Sequence, residues 1–465
     1  MLEPNRKLWL PSRRLVLAGA SSAALISALQ AGGLNLSQGP IGSCPKGIHA
    51  GDGCPGAPAG TPQLPNLLNS YLVRPSWNVA AVDYHVGIPT GTVLTDWQAM
   101  TPTSLGNPGG SVSFGPNNVI TIGSGSYTFN NIDFSQHGGA SLFTNSATAM
   151  TFNNCNWAYS TQLTGFTYCI QDQGGAQITV TNCKLDLSNA TQPNAFFGHA
   201  GPITVTYSHL KNTQQHFFEC SRNTNFTGTL TAIIKYNLFD DAVPAAGAHV
   251  NYFQVTGTVG TGTVTGTMSV HIEYNTTYQT SAFSRFETVT ISNASPALVT
   301  LVSGDTAANT NQIKFATTGT LPAPLVPGQI YFVSGSGTSF NISATSGGAA
   351  INTTSPGSGT HTASAATPSG EGFQWGPDTA TDSWPSPTFL NNTMIAILDG
   401  GNFSRSYHFH DGSPSFPVVT GQCNNNYFDP SGAIGTFYPG STTPACGWTS
   451  SGNINMNDGS TITPA

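Results

Sequence analysis

The sequence predicts an all-β protein: a right-handed parallel β-helix interrupted by a small inserted β barrel or sandwich module. Three observations predict it. Charged residues are only 7% of the 465, while 53 are Gly and 31 are Pro; an ordinary soluble domain is about 25% charged. A short apolar strand followed by Asn or Tyr recurs along the chain. One stretch breaks that recurrence with alternating strands and Gly/Pro turns.

The same arithmetic excludes several classes. Coiled coils and long helical arrays need far more Glu, Lys, Arg and Leu. The net charge is −7 and no Lys/Arg cluster lies beyond the first fourteen residues, so nucleic acid is not an expected partner. Aromatics at 10% and hydrophobics at 38% supply a core that a disordered chain lacks.

Residues 1–30 read as a signal-like segment. Arg6, Lys7, Arg13 and Arg14 precede the apolar run Leu15 to Leu29, a run of signal length and short for a membrane span. Ser12-Arg13-Arg14-Leu15-Val16-Leu17 resembles a twin-arginine signal. Export to the periplasm, the cell surface or the medium is expected; an uncleaved N-terminal anchor is the alternative. The eight cysteines fit an oxidising compartment. Cys44 with Cys54, and Cys423 with Cys446, are candidate local disulfides, and neither pair has zinc-site spacing. Residues 31–70 are a Gly/Pro-rich linker, and 71–118, with Trp77, Tyr84, His85 and Trp97, an irregular N-terminal cap.

Coils fill 119–287 and resume in 367–465, which also holds a C-terminal cap. Their anchors are Asn131, Asn154, Asn182, Tyr207, Tyr236, Tyr274, Asn392 and Asn425. Two places before each stand Phe129, Phe152, Val180, Val205, Ile234, Ile272, Leu390 and Cys423. Three places after stand Phe134, Trp157, Leu185, Leu210, Phe239, Thr277, Ile395 and Phe428. A coil with these apolar positions cannot bury its inner face alone, but stacked coils can. Asn at one corner of successive coils can form an amide ladder. Cys155 and Cys183, each just after an anchor, read as a buried ladder rather than a catalytic pair. The module at 288–366 carries Val289-Thr290-Ile291, Ile313-Lys314-Phe315, Ile330-Tyr331-Phe332-Val333 and Phe340-Asn341-Ile342 between turns.

A second strand recurs in each coil. Its predicted inward column is Ile170, Phe197, Phe218, Phe253, Phe373 and Phe409. Alternation then turns two columns outward. One is Gln171, Gly198, Glu219, Gln254, Gln374 and His410; the other is Cys169, Phe196, Phe217, Tyr252, Gly372 and His408. Aromatic faces beside aimed hydrogen-bonding groups suit sugars, whose C–H faces stack and whose hydroxyls need partners. The expected substrate-binding residues are Phe196, Phe217, Tyr252, Gln254, Gln374, Trp375, His408 and Gln171. The catalytic candidates are Glu219, Asp240, Asp241, Glu371, His410 and Arg222. The acids could supply a carboxylate pair for glycoside hydrolysis. Arg222 or a histidine beside them could instead serve β-elimination from a uronic acid, with Ca²⁺ as cofactor. No residue set reads as a fixed metal site. The alternative is that these columns only fill the sheet, with Phe196 and Phe217 covered by loops.

The coil pattern resembles right-handed parallel β-helix proteins of the pectate-lyase-like superfamily. His249-Val250-Asn251-Tyr252-Phe253-Gln254 and Glu371-Gly372-Phe373-Gln374 are similar to an H-x-D-x-x-Q signature of bacterial β-helix proteins. The W-I-D-H and R-x-P-x-x-R motifs of pectate lyases are missing, as are the first and last motifs of polygalacturonases; Asp240-Asp241 resembles only their D-D. The module, closing in Gly347-Gly348-Ala349-Ala350 and Gly359-Thr360-His361-Thr362, is similar to small β modules of phage tail-fibre-like proteins. Three functions follow as expectations: a surface or secreted polysaccharide binder, a polysaccharide lyase or glycoside hydrolase in the same groove, or a non-enzymatic tail-spike-like adhesive protein. The last resemblance implies a homotrimer.

Overall fold

The computed structural model describes residues 57–159, 168–187, 196–198, 201–213, 216–223, 229–242, 249–259, 267–279, 287–302, 307, 309, 312–365, 369–376, 387–396, 407–409, 421–429, 437–438 and 449–462. The chain winds into a solenoid with three walls. Among the described residues the first has ten strands, from Thr95–Asp96 to Ile454–Asn455; the second has ten, from Val112–Phe114 to Phe437–Tyr438; the third has nine, from Gly125–Asn130 to Thr449–Ser451. One coil shows the path. Gln177–Thr181 lies in the third wall, Lys184–Asp186 in the first and Phe196–Gly198 in the second; Ile203–Thr206 returns to the third. Stacked strands pair in parallel and in register, as Val180 does with Phe152 and Val205. The opening pair of the second wall is antiparallel.

Each third wall meets the next first wall at a residue with left-handed backbone. Asn131, Asn154, Asn182, Tyr207, Tyr236, Tyr274, Asn391 and Asn425 have φ between 51° and 64°, and Gly452 (φ 65°) closes the series. Asn tolerates this region best among residues with a Cβ, which is why the corner shows in the sequence. One anchor is corrected. Asn391 turns the corner, not Asn392, so Phe389 and Met394 enter the core cluster instead of Leu390 and Ile395. Ile395 is buried on the other side of its strand, under the N-terminal segment.

The residue after the corner points inward and builds one continuous ladder. Asn237 Nδ2 donates to Asn275 Oδ1 at 3.0 Å, Asn275 to Asn392 at 3.1 Å, Asn392 to Asn426 at 3.1 Å, and Asn426 to Asn453 at 3.0 Å. The second amide proton of each goes to a backbone carbonyl of the preceding coil, such as Val205 for Asn237. Each oxygen also accepts a backbone N–H. A buried amide needs this full set of partners. Toward the N-terminus the rungs become Ser208, Cys183 and Cys155: Cys183 N–H donates to Ser208 Oγ at 3.1 Å, and Cys155 N–H to Cys183 Sγ at 3.3 Å. The expected cysteine ladder is therefore present. Both thiols are free and fully buried, and burial pushes Cys183 well above the ordinary thiol range.

The N-terminal segment runs along the outside of the first wall. Val73 N–H donates to Met456 O on the last coil, Thr276 Oγ1 to Ala80 O in the middle, and Thr95 N–H to Asn131 O on the first coil. Beneath it Tyr207, Tyr236 and Tyr274 stack with ring centroids 5.0 and 5.3 Å apart. Trp77 meets Tyr274 and Tyr427 edge-on. Trp97, Met100 and Leu105 then join the solenoid core at its first coil.

The inserted module is a closed antiparallel barrel of six strands between Glu287–Ile291 and His361–Ala365. It has its own core, including Val299, Phe315, Tyr331 and Ile342. It interrupts a coil between first-wall strand Thr276–Gln279 and second-wall strand Ser369–Gly376. No helix among the described residues is long and apolar enough to cross a membrane.

Candidate functional site

The second wall carries most of the residues singled out from the sequence, and its register re-sorts them. One line runs Leu142, Ile170, Phe196, Phe218, Phe253, Phe373. Leu142, Ile170, Phe218 and Phe253 are buried in the core. Phe196 therefore holds the place expected for Phe197, and Phe409 pairs with Trp375 rather than continuing from Phe373. A slip of one residue moves a side chain to the opposite face of a strand. The adjacent line runs Phe143, Gln171, Phe197, Glu219, Gln254, Gln374, His408, Tyr438. Phe197 and His408 thus replace Gly198 and His410 in it.

Two further expectations are overturned. Phe217 and Tyr252 do not face outward; they are 0% and 2% exposed. They stack on each other at 5.0 Å, and Phe217 meets the edge of Phe239 on the first wall. The Tyr252 hydroxyl donates to Gln279 Oε1 at 2.8 Å. Desolvation, reinforced by Asp241 and Asp240, holds that phenol well above its ordinary range. Both rings fill the corner between two walls, where successive residues turn inward. Cys169 is likewise buried, its thiol pushed up to about 12 by burial.

The carboxylates do not share one strand or line. Asp240 and Asp241 belong to first-wall strand Leu238–Ala242, and Asp240 pairs with His209 Nε2 at 3.0 Å. Glu219 and Arg222 lie in His216–Asn223, and Glu371 in Ser369–Gly376. Glu371 is in register with Asn251, and through it with His216, not with Glu219. His410 lies outside the described residues, as does Cys446, the expected disulfide partner of buried Cys423. Asp172 is buried and accepts backbone N–H bonds from Gly174 and Gly175. Desolvation outweighs those bonds and raises its carboxyl; its role is to close a turn. Among the described residues no group of three or more His, Cys, Asp or Glu is placed to hold a metal ion.

One side chain on this wall stands out. Gln171 is 6% exposed, and its buried Oε1 accepts no hydrogen bond. Buried polar atoms in folded proteins are almost always paired, so this oxygen marks a position short of one donor.

The sequence reading missed a second group, on the third wall. There a hydrogen-bonded chain joins Ser269, His271, Thr388, Glu273 and Lys235. The available signal was Ser-x-His-x-Glu at alternate positions of one strand. Comparison with protein-family models finds none that matches the chain, and no curated protein or solved structure matches it.

Proposed function

We propose that this chain is an exported protein that binds a polysaccharide along its second wall. The observation that carries the reading is the register line from Phe143 to Tyr438, which combines three aromatic residues with amide, acid and imidazole residues over eight consecutive strands. Parallel strands are about 4.8 Å apart, so such a line offers a periodic track suited to a linear polymer. Sugars use both halves of that chemistry, ring faces for C–H stacking and polar side chains for hydroxyls. The unmet acceptor on Gln171 suits a hydroxyl donor. The likeness of the coils to pectate-lyase-like proteins supports a saccharide partner by analogy alone. The Arg-rich, apolar N-terminus supports export.

The test is a glycan panel on the full chain, comparing wild type with a Gln254→Ala/Gln374→Ala double variant. A glycan bound by wild type and released at least tenfold more readily by the variant is the expected result. Equal binding by both proteins would remove the second wall from the function.

A further inference from the structure

The third wall carries an array whose proton positions can be assigned by elimination. Strand Thr267–Glu273 buries Val270 and Ile272 in the core and leaves Ser269, His271 and Glu273 partly exposed on the opposite face. On one side, strand Thr388–Leu390 sets Thr388 opposite His271. On the other, strand Thr229–Lys235 sets Thr231 opposite Ser269, Ile233 opposite His271 and Lys235 opposite Glu273. The Glu273 carboxylate can only accept, so Thr388 Oγ1 spends its one proton on Glu273 Oε1, at 2.7 Å. Thr388 must then accept from His271 Nδ1, 2.8 Å away. That leaves the lone pair of His271 Nε2 facing Ser269 Oγ at 3.0 Å, and the serine hydroxyl donates to it. Lys235 Nζ forms an ion pair with the other carboxylate oxygen, Glu273 Oε2, at 2.8 Å. Every proton points the same way, from serine to imidazole to threonine to glutamate.

This is the order of an activated nucleophile, its base and an orienting acid, with a threonine hydroxyl between imidazole and carboxylate. Glu273 Oε1 itself lies 3.9 Å from His271 Nδ1. Desolvation lowers the imidazole below its ordinary range; Glu273 opposes the shift and Lys235 adds to it. No other titratable group faces His271 from the two flanking strands, which present Ile233 and Lys235 on one side and Thr388 and Leu390 on the other. The neutral imidazole that a general base requires is therefore the resident form near neutral pH.

We propose that Ser269 is a nucleophile for acyl transfer from carboxylic esters, with His271 as its general base. Ser269 Oγ forms a bond to the ester carbonyl carbon while its proton passes to His271 Nε2. The carbon–oxygen bond to the alcohol breaks, and His271 returns the proton to the departing alkoxide. Water then adds to the acyl-serine by the same route, giving a carboxylic acid and restoring Ser269. Thr388 and Glu273 are positioning residues: they fix the tautomer and share the charge of the imidazolium. Thr231, opposite Ser269, is the side-chain hydroxyl this wall offers to the oxyanion. With one such donor among the described residues, covalent capture is a stronger readout than turnover. The proposal stands apart from the glycan reading, since it uses a different wall and a different bond.

The test is labelling of the full chain with a fluorophosphonate probe, followed by peptide mapping and repeated across pH 5 to 9. One adduct on Ser269 is expected. It should be absent in Ser269→Ala and at least tenfold slower to form in His271→Gln. Because the imidazole is held below the ordinary histidine range, labelling should rise with pH to a plateau, with its midpoint below about pH 6.5. Thr388→Val, which keeps the β-branched shape, should slow labelling several-fold and move the midpoint of that profile. Circular dichroism of each variant checks that it is folded. A folded wild type with no adduct on Ser269, or labelling unaffected by His271→Gln, overturns the proposal. So does Thr388→Val without a shifted profile, for the positioning role.

Discussion

The first and third walls are built from the same coils, yet they meet their surroundings differently. The outer face of the first wall is covered: Tyr207, Tyr236 and Tyr274 stack beneath the N-terminal segment, which touches coils from the last to the first. Among the described residues the outer face of the third wall is bare along Thr128, Thr151, Thr179 and Thr204, all at least partly exposed and in one register line. Covering a wall makes it contribute to stability through aromatic burial. An uncovered wall contributes through its inward residues alone, which leaves its outward ones available for other chemistry. The hydrogen-bonded array on Ser269 belongs to the second kind.

This contrast can be broken by substitution. Trp77→Ala should cost about 4 kcal/mol, the usual range for a buried tryptophan, because Trp77 joins the segment to two coils at once. Thr179→Ala on the bare wall should change stability by less than about 0.5 kcal/mol. Urea unfolding followed by circular dichroism measures both, and equal effects would mean that the covering segment is not a stabilising part of the fold. Next in size is Asn275→Ala, at about 3 kcal/mol. It removes the acceptor of the Asn237 backbone N–H and of one Asn237 Nδ2 proton, and the Nδ2 donor that serves Asn392 Oδ1 and Ile234 O, leaving Asn392 Oδ1 only the backbone N–H of residue 275; unmet buried groups carry most of the penalty. A loss under about 1 kcal/mol would show that water enters the ladder and replaces the amide.

The corners and the ladder were the most readable features because they are local and chemically narrow. A left-handed corner admits few residue types, and the inner positions must be apolar. The one slip came where Asn391 and Asn392 stand side by side and either could turn the corner. The second wall failed in the same way: Phe196 and Phe197 are adjacent aromatics, so alternation alone could not choose between them. Phe217 and Tyr252 were misplaced for another reason. At the junction of two walls consecutive residues both turn inward, and strand periodicity stops applying. The array on the third wall was hidden by distance, since Thr388 reaches His271 across 117 residues that include the whole barrel. Sequence spacing cannot show that a coil resumes in register after such an interruption.

A smaller effect tests one end of the covering segment. Tyr71→Phe removes the hydroxyl that donates to Asp429 Oδ2 at 2.6 Å, a bond to a charged acceptor expected to contribute about 1.5 kcal/mol. Asn457 Nδ2 still reaches Asp429 Oδ1 at 2.8 Å, so the carboxylate is not stranded and the loss should not exceed that figure. Urea midpoints of the two proteins decide it. A loss as large as that of Trp77→Ala would move the anchoring of the segment from its ring packing to this hydrogen bond.

Along the covering segment the least effect is expected at the other end, where Thr95–Asp96 pairs with Ile132–Asp133. Burial acts against the Asp133 charge, but hydrogen bonds from Ser135, Gln136 and Asn156 outweigh it and hold the carboxyl below its ordinary range. A depressed folded pKa adds stability above the unfolded value and loses it as pH falls through the folded one. Wild type should therefore exceed Asp133→Asn by less than about 1 kcal/mol at pH 7, with the gap closing below about pH 4. Urea midpoints at pH 7, 4 and 3 measure it. A gap that persists at pH 3 would assign the difference to hydrogen-bond geometry instead of charge. The segment's hold on the first coil would then be independent of pH, like the packing of Trp77.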